Sequence, residues 1–255
     1  MAPVKLYVIP GTHPCMTARL MLERKGIEYK RIDLLPPFHR WILRALRWPG
    51  TTVPALQIEG EKIVNTRAIS RDLEQRVPEP PLFPSDPELR AKVEEAERWG
   101  DEEFWDPTNR IAWWAVAHDQ KSIPSLLSES RLPLRLTPLL APSISKMGIK
   151  RNDASDEHTR ADHERMPAML VKIDAWIEEG VIGGDEPNAA DYQIAPSLRI
   201  MMIVDQLRPL IEARPAGEFA MRVDPYFPGR VRAEFPQEWL EPLRASGPAA
   251  AQPAA

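Results

Sequence analysis

VKLYVIPGTHPCMTARLMLERKGIEYKRIDL, residues 4–34, decides how the chain begins. Val4 to Ile9 is a short, mostly apolar run bounded by Pro10-Gly11, which reads as a buried strand. Thr12 or His13 caps a helix that tolerates Pro14 in its first turn. That helix runs from Cys15 to Lys25 and stops at Gly26. Ile27 to Leu34 supplies a second strand. Strand, helix and strand make a βαβ unit with a right-handed crossover.

Working outward, Pro36-Pro37 opens an irregular stretch, and His39 to Trp48 is a short basic helix rich in aromatics. Val53–Ile58 and Glu61–Val64 are strands joined at Glu59-Gly60, a hairpin signal. Asn65 or Thr66 caps a helix reaching Arg76. Residues 77–87 then hold five prolines, which neither a helix nor a central strand accommodates. Beyond them the period becomes helical: Leu89, Val93, Ala96, Gly100 and Phe104, a break near Pro107, then Ile111, Trp114, Ala115 and His118. Residues 121–155 show no sustained period. Two further helical runs hold Met169, Leu170, Ile173, Trp176 and Ile177, and Ile194, Leu198, Met201 and Met202. Asn188 with Asp191 three residues on is a capping-box pattern. The division expected is an α/β domain over 1–78, a linker over 79–86, an all-helical domain over 87–244 and a disordered tail over 245–255.

Composition narrows the function classes. A net charge of −4 gives no global attraction to nucleic acid or to an acidic surface. One cysteine excludes an internal disulfide framework and a thiolate-cluster metal site. No leader-like segment and no spanning segment is visible, so a cytoplasmic protein is expected. His158 and Asp162-His163-Glu164 read as a solvated helix face, so no metal is expected.

Several motifs stand in a fixed order: Pro10-Gly-Thr-His-Pro-Cys15 after the first strand, Glu23-Arg-Lys-Gly-Ile-Glu-Tyr29, Val53-Pro54-Ala-Leu, Ile63-Val-Asn-Thr-Arg-Ala-Ile69, and Asn188-Ala-Ala-Asp191. Together they resemble the soluble glutathione S-transferase family, with a thioredoxin-like α/β domain followed by an all-α bundle. The resemblance implies glutathione as co-substrate, a hydrophobic electrophile, a detoxification role and a homodimer. A free thiol has a pKa near ~8.5, so lowering it by about two units requires roughly 2.7 kcal/mol of thiolate stabilisation. The resemblance puts the group responsible at Thr12, at the positive end of the first helix. A plain helix cap explains Thr12 equally well.

Cys15, three residues later, is a second catalytic candidate; a monothiol route through it requires exposure, and a first-turn cysteine more often packs inward. His13 is a tuning residue or a solvated turn residue. The resemblance makes Val53-Pro54 a cis bond, with Thr52, Val53 and Pro54 presenting backbone to the tripeptide. It makes Asn65 and Thr66 the γ-glutamyl site, with Asn65 standing where the family has an acid. The resemblance puts His39 or Arg40 beside the glycine carboxylate; a solvated basic face is the plain alternative for this stretch, and a membrane-surface helix ranks last because the stretch is short. Trp105, Trp113 and Trp114 line an apolar pocket, at least one of them being core. A non-catalytic binding or interaction protein on the same scaffold is the alternative reading.

Overall fold

The computed structural model describes residues 3–36, 38–131 and 137–247. Strand β1 (Lys5–Val8) leads into helix α1 (His13–Arg24) and then into β2 (Lys30–Asp33), which pairs with β1 in parallel. Helix α2 (His39–Ala45) follows, then β3 (Ala55–Ile58), β4 (Glu61–Val64) and α3 (Thr66–Arg76). The sheet order is β2-β1-β3-β4, with β3 antiparallel to both its neighbours. Glu59 and Gly60 both take positive φ, as a two-residue hairpin turn requires. The thioredoxin-like arrangement expected from the motif order is therefore present.

The proline-rich connection is packed. Leu82 and Phe83 are buried, and Lys25 reaches across to hold the segment. Its Nζ donates to Glu74 at 2.6 Å and to the carbonyls of Pro80 and Pro78 at 2.7 and 3.3 Å. Glu74 accepts from the Leu82 and Phe83 amides. With no strand or helix to pair with, the polar backbone of this segment is satisfied by the side chains of buried Lys25 and half-buried Glu74.

The rest of the described chain is helical: α4 (Pro87–Trp99), a π-turn (Gly100–Phe104), α5 (Trp105–His118), α6 (Ile123–Leu126), α7 (Thr137–Asn152), α8 (Asp156–Glu178), α9 (Ala189–Met202), α10 (Arg208–Glu212), α11 (Pro215–Val223) and α12 (Gln237–Ala245). Three expectations need correction. The break near Pro107 is a widened turn just upstream, and Thr108 Oγ1 donates to the freed carbonyls of Phe104 and Trp105. The 121–155 stretch contains the 16-residue helix α7, whose internal Pro142 hides its period; residues 132–136 lie outside the described residues. Asp162 and His163 are buried: Asp162 pairs with Arg110 and Arg165, and His163 packs against Phe235 and Trp239. The face that looked solvated is the one turned toward α5 and α12. The tail expected over 245–255 lies outside the described residues from 248 onward. No helix among the described residues is long and apolar enough to cross a membrane.

Helix α9 runs through the centre, with nearly every side chain buried. Its first turn has no water to turn to, and the capping box is formed there. Asn188 Oδ1 accepts from the Ala190 and Asp191 amides, while Asp191 accepts from the Asn188 and Gly183 amides at 2.7 and 2.6 Å. Burial pushes the Asp191 pKa up to about 6, against the pull of those amides. The Asp191→Ala variant strands these donors in the interior. It should lose about 2–4 kcal/mol of stability, read as a lower urea midpoint at unchanged slope.

Of the two readings of Cys15, the structure fits the inward-packed one. Cys15 faces the core between sheet and helices, 3% exposed, and burial raises its thiol pKa to about 11. Ellman's reagent should therefore find one thiol in denaturant. In native buffer it should react on the order of 100-fold more slowly than with an exposed cysteine.

Candidate functional site

The first turn of α1, the loop before β3, the start of α3 and the inner faces of α5 and α7 enclose a cleft of about 330 Å³. Thr12, His13, His39, Thr52, Val53, Pro54, Asn65 and Thr66 all line it. These are the site residues read from sequence, with the exception of Cys15. Arg40 is exposed and turned toward Thr51 instead.

Each wall follows from local sequence. Gly11, at φ +75°, brings the chain tightly over Leu126 and aims the N-terminus of α1 at the cleft. Thr12 is the N-cap residue, but its hydroxyl caps nothing; it donates to the Ile9 carbonyl at 2.8 Å. The Val53–Pro54 peptide is cis, and Val53 precedes β3 with its backbone outside the paired strand residues. Asn65 takes φ +81°, and its side chain accepts from the Arg67 amide at 2.8 Å, capping α3.

His13 is fully buried, which corrects its reading as a solvated turn residue. Its ring stacks on Trp105, and Nδ1 pairs with Ser197 of α9 at 2.9 Å. Nε2 faces Asn109 without a hydrogen bond of regular geometry. Burial lowers its pKa to about 3, so the imidazole is neutral at physiological pH. His39 is also held neutral by burial. Its Nδ1 donates to the Pro36 carbonyl and its Nε2 faces an Arg151 guanidinium N–H at 3.4 Å.

The helical half contributes residues that carried no sequence signal. Asp101, in the π-turn, lies beside Asn65 and Thr66; burial raises its pKa, against the pull of Arg67 and of those two side chains. Arg151, near the end of α7, lines the opposite wall beside His39 with no carboxylate partner among the described residues. Its pKa is lowered by burial and by Arg40 nearby. Trp113 lies flat on Gly148, where any Cβ would meet the ring at 2.1 Å. Trp105 and Trp113 face the cleft, whereas Trp114 is core, stacked with His118 and Phe235.

A smaller apolar pocket of about 80 Å³ adjoins the cleft at Ile9, Thr12 and Trp113; Val116, Ile123, Ile144, Ile200 and Ile203 are among its walls. No group of acidic, histidine or cysteine side chains among the described residues has metal-ligand geometry.

Residues 6–81 match the family described as "Glutathione S-transferase, N-terminal domain". Over 94 residues the chain is 35% identical to the maleylacetoacetate isomerase of Pseudomonas aeruginosa, covering 35% of this chain and 44% of that protein. The chain thus spans less than half the length of the curated relatives it matches. Three solved structures share the fold across most of the chain. FzlA from C. crescentus aligns at 20% identity and a TM-score of 0.60, covering 87% of this chain and 88% of that one. A glutathione S-transferase from Rhodospirillum rubrum F11 aligns at 19% and 0.56, covering 94% and 99%. The maleylacetoacetate isomerase from Anaeromyxobacter dehalogenans 2CP-1, solved with GSH bound in its active site, aligns at 22% and 0.50, covering 99% and 98%. Residues 6–81 are thus similar to the N-terminal domain of glutathione S-transferases, and behind them the chain carries the helical region of the fold seen in those solved structures.

Proposed function

We propose that the cleft binds glutathione and presents its thiol to an apolar electrophile in the adjoining pocket. The observation that carries this reading is the charge layout. Asp101 and the N-terminus of α3 form one polar cluster, Arg151 and His39 another, and the α1 N-terminus and Val53 belong to the same cleft. Glutathione has an ammonium and a carboxylate at its γ-glutamyl end, a peptide with a thiol in the middle and a carboxylate at its glycine end. In this reading Asp101 takes the ammonium, and so supplies the acid that Asn65 does not. The α3 amides and Thr66 take the first carboxylate. Thr52, Val53 and Pro54 align the peptide, and Arg151 takes the second carboxylate. Residues 1–78 form the thiol-binding domain, and a cytoplasmic location and a homodimer belong to the same reading.

Thr12 is the residue placed nearest the chemistry. Its hydroxyl must exchange the Ile9 carbonyl for the thiolate, which costs about 1 kcal/mol. That standing bond favours a second reading, in which the cleft holds the thiol without activating it. Retention on a glutathione column, followed by turnover with a generic aryl halide and with maleylacetoacetate, separates the two. Binding with turnover of either substrate supports the enzyme; binding without any supports the second reading.

For the enzyme, Thr12→Val should lower kcat by about 10- to 100-fold while leaving the Kd for glutathione near wild type. An unchanged kcat removes Thr12 from the mechanism. Asp101→Asn should weaken glutathione binding about tenfold, measured by calorimetry. Because burial raises the Asp101 pKa, this carboxylate gains its proton at a higher pH than an ordinary aspartate as solution is acidified. Wild-type affinity should therefore fall on mild acidification, and the fall should be smaller in Asp101→Asn. Equal pH profiles would take Asp101 out of the binding reading.

A further inference from the structure

Helix α2 carries a feature that the cleft does not use. His39 and Leu43 turn inward, and Trp48 is buried just beyond the helix. Phe38, Trp41, Ile42, Ala45 and Leu46 recur at helical spacing and form a continuous outer row. Trp41 is 74% exposed and Phe38 57%. Four of the seven large apolar side chains exposed among the described residues lie in this one row. Arg40 and Arg44 run along one flank, and Arg47 follows at φ +56°. None of the three has a carboxylate partner among the described residues, and residues 34–58 contain no Asp or Glu. In a chain of net charge −4 this is a local excess of uncompensated positive charge.

We propose that α2 and the turn after it form a docking surface for an anionic lipid bilayer. A protruding Trp and Phe flanked by guanidiniums matches the headgroup boundary: apolar rings enter the acyl edge while cations stay at the phosphates. The attraction adds about 1 kcal/mol for each Arg near the surface. The apolar side chains stand out from a helix instead of lining a groove, so they need a soft interior to enter and leave no channel for an extended peptide. A second copy of the chain does not fit either. Packing the face against itself brings together three arginines from each copy with no acid between them.

Sedimentation of the full-length protein tests this with vesicles of phosphatidylcholine alone and with phosphatidylserine added. Binding should need the anionic lipid and should weaken as salt rises. Arg40→Gln and Arg44→Gln should each lower the partition about fivefold, and Trp41→Ala about tenfold. All three residues are exposed, and circular dichroism checks that the fold is kept. Absent sedimentation with anionic vesicles overturns the proposal, as does equal binding to both vesicle types or a Trp41→Ala variant that binds like wild type. Polyglutamate is the probe for an acidic protein partner. If it binds the protein in an Arg44-dependent way while vesicles do not, the face belongs to such a partner and the lipid proposal fails.

Discussion

A helix buried on all sides must carry its own solvent, and α9 does so through Asn188 and Asp191. These two side chains accept the amides that water would serve at a surface helix, and Asn188 also donates to the Val181 carbonyl. With its end satisfied, α9 can pack against α1, α4, the π-turn, α5 and α11 together. Gly100 lets the π-turn approach closely, since a Cβ there would meet the Gln193 and Ile194 side chains at 3.0 and 3.1 Å. Ser197 on the same helix pairs with His13, tying the first turn of α1 to the centre of the helical half. The cleft is thus held in place from the middle of α9.

The two halves contribute different chemistry to that cleft. The α/β half supplies backbone: a helix N-terminus behind Thr12, the Val53 peptide and the start of α3. The helical half supplies Asp101 and Arg151, both partly withdrawn from water, with Trp105 and Trp113 as apolar wall. Both cleft histidines are kept neutral because burial penalises the imidazolium more than their partners stabilise it. Fixed charge in the cleft therefore comes from the acid and the arginine of the helical half. Two further ties fasten the halves beside this site: Ser70 and Arg71 on the buried Glu97, and Arg67 on Glu102.

What could be read from sequence was local. Gly26 stopping α1, the Glu59-Gly60 hairpin and the Asn188–Asp191 box are each decided within four or five residues, and each occurs as read. The motif order also named eight of the residues that line the cleft. Burial was not legible in this way. His13 and Asp162-His163 are polar and looked solvated, yet each is covered by a helix distant in sequence: His13 by α5 and α9, and Asp162-His163 by α5 and α12. Helix α7 was missed because Pro142 interrupts its pattern, and with it Arg151 was missed. Asp101 was hidden in the run Asp101-Glu102-Glu103, where nothing local separates the one acid turned to the cleft from two that pair with Arg67 and Arg98 on the surface.

The sequence by itself determined the strand–helix–strand opening, the Asn65 and Asn188 caps and the order of the two halves, while the cis Val53–Pro54 bond was implied only by the family resemblance. These follow from backbone constraints of glycine and proline and from hydrogen bonds within a few residues. The tertiary structure alone decided which polar side chains leave water. It paired His13 with Ser197, withdrew Cys15 into the core and set Asp101 beside Asn65. The physical reason is that desolvation, and pairings such as His13 with Ser197, 184 residues away, depend on how helices pack, and packing is not written in any one segment.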